Sequence, residues 1–232
     1  MIKSILGALL LVGVFACDSI DSSKQTTSKE KVSEADVASE PAEDKRKVIL
    51  FYGNSITAGY GLDISEAFPA IIQERLDSLG YDYNVINAGL SGETSAGGLS
   101  RIDWVLKTPV DIFALELGGN DGLRGISLDE TEKNLSEIIE KVKQSNPQVK
   151  IIVAGMQIPP NMGQEYTDRF RGIFPALAEK HNTALIPFIL EGVGGIPELN
   201  LPDGIHPTPE GHKMLADNVW AVLEPIIDED NI

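Results

Sequence analysis

An α/β domain built on a five-stranded parallel sheet is what this sequence predicts, and three observations predict it. Five short β-rich runs alternate with helical patterns from residue 48 onward. The runs are apolar on both faces, as strands covered on both sides are, whereas half-exposed antiparallel strands alternate. The 232 residues are enough for one such domain with an appendage. Strands alternating with helices imply crossover connections and a sheet sandwiched between helical layers.

In chain order, the amino terminus reads as an address. Lys3 precedes an apolar run over residues 5–15, followed by Ala16 and Cys17. That run is too short to span a bilayer but fits the apolar core of a secretory signal. The junction Val14-Phe15-Ala16-Cys17 resembles a bacterial lipobox, although Phe15 is bulkier than the residue usual there. Residues 1–16 are therefore expected to be a lipoprotein signal peptide, with Cys17 lipidated. An ordinary secretory signal followed by a chance cysteine is the alternative; that the chain's only cysteine falls at this position favours the lipoprotein. The expected place is the bacterial cell envelope, with the protein anchored to the membrane through Cys17 and facing the periplasm or exterior. Residues 18–44 carry eight acidic and three basic side chains and almost no large apolar ones. Such a stretch cannot bury enough surface to offset its ordering entropy, so it is expected to be a tether with a reach of about 30 Å. The folded domain is expected over 45–232.

Within it, strands are expected at 48–52, 83–86, 112–117, 151–154 and 184–186, and helices at 68–79, 99–106, 128–144, 166–180 and 209–226. In the third helix Leu128, Leu135, Ile138, Ile139 and Val142 recur at helical spacing and give one apolar face. Ligands of such sheets sit beyond the carboxyl ends of the strands.

Composition narrows the chemistry. Nineteen basic against 35 acidic residues, a net charge of -16, argue against nucleic acid as a partner, since that needs cationic surface. One cysteine excludes an internal disulfide framework and any Cys-rich metal site, and three histidines without an HExxH pattern leave little for a His-based one. No metal and no cofactor is expected.

Four loops carry the chemistry. The first strand runs into Gly53-Asn54-Ser55-Ile56-Thr57-Ala58-Gly59, with Ser55 placed to expose its hydroxyl or to cap a helix. Thr57 replaces the second glycine of the GxSxG elbow, so the α/β-hydrolase pattern is not met. The second strand ends in Asn87-Ala88-Gly89-Leu90-Ser91-Gly92-Glu93-Thr94, where Gly92 lets the backbone approach a ligand. The third ends in Glu116-Leu117-Gly118-Gly119-Asn120-Asp121, which reads as a turn bringing an amide donor to the same edge. The last reads Leu201-Pro202-Asp203-Gly204-Ile205-His206-Pro207, a spacing that lets Asp203 fold back onto His206. His181 is expected at a helix end where a cation suits the dipole, and His212 near the start of the last helix.

Taken together, these loops resemble those of the SGNH (GDSL-type) hydrolases, most closely the thioesterase I/lysophospholipase L1/arylesterase branch. The similarity runs from about residue 48 to 223 and is most specific at Ser91-Gly92-Glu93-Thr94-Ser95, at the run from Glu116 through Gly125, and at Asp203-Gly204-Ile205-His206-Pro207. The resemblance implies a flavodoxin-like three-layer α/β/α sandwich, the SGNH hydrolase fold. It implies Ser55 as nucleophile, Asp203 and His206 as the rest of a triad, and an oxyanion hole from the Ser55 and Gly92 amides and the Asn120 side chain. The loop after Asn120 is implied to line an acyl groove. Leu123, Ile126, Ile158, Pro159 and Met162 near it suit either an acyl chain or ordinary packing beneath loops, and Leu123, Arg124, Ile158 and Pro159 are the substrate-binding candidates. Asn54 departs from the family pattern, which usually has Asp there; the expectation is a lost negative charge near the nucleophile and an altered rate or pH profile. The activity implied is hydrolysis of acyl esters and thioesters through an acyl-enzyme, with lysophospholipids or fatty or aromatic esters as envelope substrates. A carbohydrate acetyl esterase of the same family, or a non-catalytic envelope binding module, are the alternatives.

Overall fold

A computed structural model describes residues 46–230. The expected leader, Cys17 and the acidic tether lie outside the described residues. The elements are β1 (Lys47–Gly53), α1 (Ser55–Ala58), α2 (Phe68–Leu79), β2 (Tyr83–Asn87), α3 (Ser95–Val105), β3 (Ile112–Glu116), α4 (Gly119–Leu123), α5 (Leu128–Ser145), β4 (Lys150–Ala154), α6 (Gln164–His181), β5 (Ala184–Ile186) and α7 (Pro209–Asp230), with three short 3-10 turns between them.

The sheet is five-stranded and parallel throughout, in the order β2-β1-β3-β4-β5. This is the flavodoxin-like doubly wound order, whose ligand crevice opens where strand order reverses, between β1 and β3. Helices α2 and α7 pack together in one layer, and α3 against α5 and α5 against α6 in the other. β3 is central and buried along its whole length, Glu116 included, and most of β1 is buried too. The edge strand β2 is only half-buried beyond Tyr83, which is why it tolerates Asn84 and Asn87. Each wholly buried Ile, Leu or Phe in this core contributes about 1.5–3 kcal/mol.

The helices begin where local chemistry satisfies their first amides. Ser127 accepts from Glu130 N at the start of α5, with Asp129 and Glu130 in the first turn and Lys143 in the last. The Thr94 side chain accepts from Gly97 N, so α3 starts at Ser95, four residues before the expected 99; Gly97 and Gly98 conceal that first turn in the sequence. Gly98 faces Leu117 and Tyr52, and a Cβ there would sit 2.4 Å from Leu117 Cδ1, so any larger residue would require the buried Leu117 side chain to move. Among the described residues no helix is long and apolar enough to cross a membrane.

Candidate active site

β1 ends at Gly53, and the chain turns at once into α1. Asn54 caps that helix: its Oδ1 accepts from Ile56 N at 2.9 Å. Ser55 is the first helical residue and is 8% exposed. Behind the turn stands Glu116, the last residue of β3. Its Oε1 accepts from Asn54 Nδ2 (2.7 Å), and its Oε2 accepts from Asn54 N (3.2 Å), Thr57 N (3.3 Å) and Thr57 Oγ1 (2.8 Å). A Cβ on Gly53 would run into Thr57 Oγ1 and Glu116 Oε2, so glycine is required there by close approach. Burial pushes the Glu116 carboxyl up to about 7, against the opposing pull of its donors.

The second loop lies against the first. Ala88 N donates to Phe51 O at 2.8 Å and Leu90 N to Gly53 O at 2.9 Å. Gly92 adopts φ 80°. Glu93 is buried and paired with Arg101, which also donates to Ala88 O and lies over the Tyr52 ring at 4.1 Å. The third loop follows β3: Gly118, at φ 107°, leads into α4, so Asn120 sits in a short helix and not in the turn expected from its two preceding glycines. Asp121 holds that helix in place, accepting from Ser95 N at 2.8 Å and Ser95 Oγ at 2.6 Å. Asn120 Nδ2 donates to Glu93 O at 2.9 Å, which joins the second and third loops.

Asp203 and His206 arrive from the far end of the chain. Asp203 Oδ1 accepts from Ile205 N (2.9 Å) and His206 N (3.0 Å), and Oδ2 accepts from His206 Nδ1 (2.8 Å). The two backbone N–H groups and the imidazole hold the Asp203 carboxyl down to about 2, the His206 amide first among them. An ionised carboxylate only accepts, so Nδ1 carries the proton and the lone pair is on Nε2. His206 Nε2 lies 2.8 Å from Ser55 Oγ and accepts from it. The Tyr60 ring covers the imidazole, centroids 4.4 Å apart, and Tyr60 N donates to Ser55 O.

Against this geometry stand the known proteins. The model of the GDSL-like Lipase/Acylhydrolase family matches residues 51–214, every segment just described. The chain belongs to that family. The family places the protein among enzymes, as a hydrolase of carboxylic esters. It is 42% identical to Esterase TesA of Pseudomonas aeruginosa over 78% of this chain and 90% of that one. It is 36% identical to the Thioesterase 1/protease 1/lysophospholipase L1 of Escherichia coli K12, over 79% and 86%. A crystal structure of TesA superposes with a TM-score of 0.74, covering 77% of this chain and 99% of the other at 42% identity. The SGNH hydrolase fold expected from the loops is the fold of this acylhydrolase.

The residues singled out from sequence fall as follows. Ser55, Asp203 and His206 form one hydrogen-bonded line, and Gly92 and Asn120 lie on the two loops beside it. Leu123 is exposed at the end of α4, and Arg124 donates to Gly92 O at 3.1 Å. Pro159 is exposed, whereas Ile158 is buried, in the position a Cβ on Gly122 would fill.

Two expectations gain detail. His181 ends α6 as expected, but it is buried there: its Nε2 meets Ser136 Oγ at 2.8 Å, and burial with the nearby Lys180 and Lys143 lowers its pKa. Beside Asn54, which carries no charge of its own, stands the Glu116 carboxyl. Sequence reasoning misses Glu116, Tyr60 and Asp121 as parts of the site. Only Glu116 leaves a signal there, as an acid in an otherwise apolar strand. Among the described residues no group of three or more His, Cys, Asp or Glu could hold a metal ion.

Proposed function

We propose that the protein is a serine esterase working through a Ser55–His206–Asp203 triad and a covalent acyl-enzyme. The observation that carries this reading is the pair of 2.8 Å contacts linking Ser55 Oγ to His206 Nε2 and His206 Nδ1 to Asp203 Oδ2. In the first half-reaction His206 Nε2 takes the Ser55 proton as Oγ bonds to the acyl carbon. The tetrahedral oxyanion is received by the Ser55 and Gly92 amides and by the second N–H of Asn120, whose first is held by Glu93 O. His206 then gives its proton to the leaving alkoxide or thiolate, and the acyl group stays on Oγ. Water repeats the sequence: His206 takes its proton, the acid departs, and Ser55 recovers its hydrogen. Asp203 keeps the imidazole in the tautomer this requires.

Acyl esters and thioesters, lysophospholipids among them, are the proposed substrates, in keeping with the activities for which the relatives are named. Arg124 reaches Gly92 O of the second loop and Ile158 packs against Gly122 of α4, and these two with the exposed Leu123 and Pro159 are the proposed acyl-binding residues. The proposed address is the bacterial envelope, with residues 1–16 as signal peptide, Cys17 as the acylated anchor and residues 45–232 as the hydrolase domain. Metabolic incorporation of labelled palmitate, lost in Cys17→Ala, tests the anchor; unlabelled protein removes it. Ser55→Ala is expected to abolish turnover of p-nitrophenyl esters and labelling by a fluorophosphonate. An undiminished rate ends the serine-esterase reading. A panel from acetyl to palmitoyl esters sets the acyl preference, and strict acetyl specificity would instead favour a carbohydrate acetyl esterase.

A further inference from the structure

Glu116 is a wholly buried carboxylate at the end of the central strand, and all four of its hydrogen-bond donors are neutral. Those donors belong to two residues on either side of Ser55 within its turn, Asn54 and Thr57. The contacts fix more than backbone position. Because Glu116 Oε1 takes the Asn54 amide hydrogen, Asn54 Oδ1 is turned toward Ile56 N, where it caps α1. The orientation of one amide is thus set by one carboxylate, and Ser55 is aimed by both.

We propose that Glu116 is a positioning residue for Ser55, and that Asn54 and Glu116 form one amide–carboxylate unit whose halves are interchangeable. The proposal rests on Ser55 being the nucleophile. The donor count makes it specific. In Glu116→Gln the new NH2 cannot face the Oε2 side, where two backbone N–H groups already point. It must therefore meet Asn54 Nδ2, donor against donor, unless Asn54 flips and turns its own NH2 on Ile56 N. Either way the cap or the strut is lost. Adding Asn54→Asp repairs every contact. One oxygen of the introduced carboxylate caps Ile56 N, and the other accepts from the NH2 of the introduced amide. That amide's own oxygen keeps the three remaining donors. The buried charge is unchanged in number and moves to the neighbouring side chain.

The test compares full-length wild type, Glu116→Gln and the Asn54→Asp/Glu116→Gln double variant. Three quantities are read: kcat, KM on a p-nitrophenyl ester, and the rate of fluorophosphonate attachment to Ser55. A misaimed nucleophile costs up to about 10²-fold, so Glu116→Gln is expected to lower kcat and the labelling rate by about 10- to 100-fold with KM little changed. The double variant is expected to restore both rates to near wild type. A Glu116→Gln protein that melts at lower temperature yet keeps its kcat overturns the proposal, because the carboxylate would then be structural only. So does a double variant no faster than Glu116→Gln, whether folded or not. Failure of the esterase reading looks different, since the wild type itself would then neither turn over nor label.

Discussion

The two ends of the Ser55–His206 contact are built in opposite ways. The turn of Ser55, the proposed nucleophile, is buried: Asn54 is 2% exposed, Thr57 0% and Glu116 2%. It is held by hydrogen bonds to Glu116, some 60 positions away in the chain. The proposed base, His206, sits on a surface turn, with the Asp203 side chain 38% exposed and its own 17%. Its bonds are local: Leu201 N donates to His206 O, Gly204 N to Leu201 O, and a bridge joins Asn200 to Pro207. The core therefore aims the serine, whereas a self-contained loop aims the imidazole. An open loop suits the group that must handle protons from both alcohol and water. A rigid floor suits the atom that must meet an acyl carbon in one geometry.

If the base depends on its own loop in this way, the exposed end fails through one side chain. Asp203→Asn can still accept from the Ile205 and His206 amides, but its NH2 faces Nδ1. The imidazole then carries its proton on Nε2 and cannot accept from Ser55. A fall of about 10³–10⁴-fold in kcat with KM near wild type is expected, measured by steady-state kinetics. A loss under tenfold would mean that the turn alone orients His206. A smaller effect is expected between the two ends. Asn120→Ala removes one donor from the proposed oxyanion hole, which typically costs about 10²–10³-fold in kcat. It also frees Glu93 O, so the second loop loses one of its ties to α4, while the Arg124 contact with Gly92 O remains. A rise in KM at constant kcat would instead assign Asn120 to binding.

The same contrast governs what can be read from sequence. Asp203 and His206 stand three residues apart in one loop, so their pairing is legible once the four loops are taken together. The doubly wound fold is legible for a similar reason, because burial on both faces leaves apolar runs of strand length. The supports of Ser55 are not. Glu116 acts on residues 59 and 62 positions earlier, through hydrogen bonds that exist only once β1 and β3 are adjacent. Tyr60 reads as a residue after a glycine until His206 arrives from 146 positions later. α4 reads as a turn because Gly118 and Gly119 conceal a helix that Asp121 stabilises through α3. His181 looks like a helix-end cation because its partner, Ser136, comes from a different helix.

The smallest effect concerns how the exposed end is fastened to the core. α7 begins just after His206, and His212 in its first turns is 1% exposed. Its Nδ1 accepts from Phe68 N at 3.0 Å, and its ring stacks on Phe68 with centroids 6.1 Å apart. Burial, with a smaller push from His206, lowers its pKa from 6.5 to about 4. The folded protein therefore binds fewer protons at this site than the unfolded chain between those values, and stability is lost as pH falls from 6.5 toward 4. Over that gap the loss is about 3 kcal/mol at 1.36 kcal/mol per pH unit. Glu116, raised to about 7, acts with the opposite sign over much of the same range, so wild type alone would not isolate the histidine. His212→Asn does, because an Asn oxygen can take the place of Nδ1 and does not titrate. At pH 7 the variant is expected to be the less stable protein, having lost a buried ring. Urea unfolding at a series of pH values should show its deficit shrinking by about 3 kcal/mol on acidification to pH 4. A deficit that stays constant with pH would show that His212 protonates freely in the folded protein, and that the fastening of the base loop is looser than the contact with Phe68 implies.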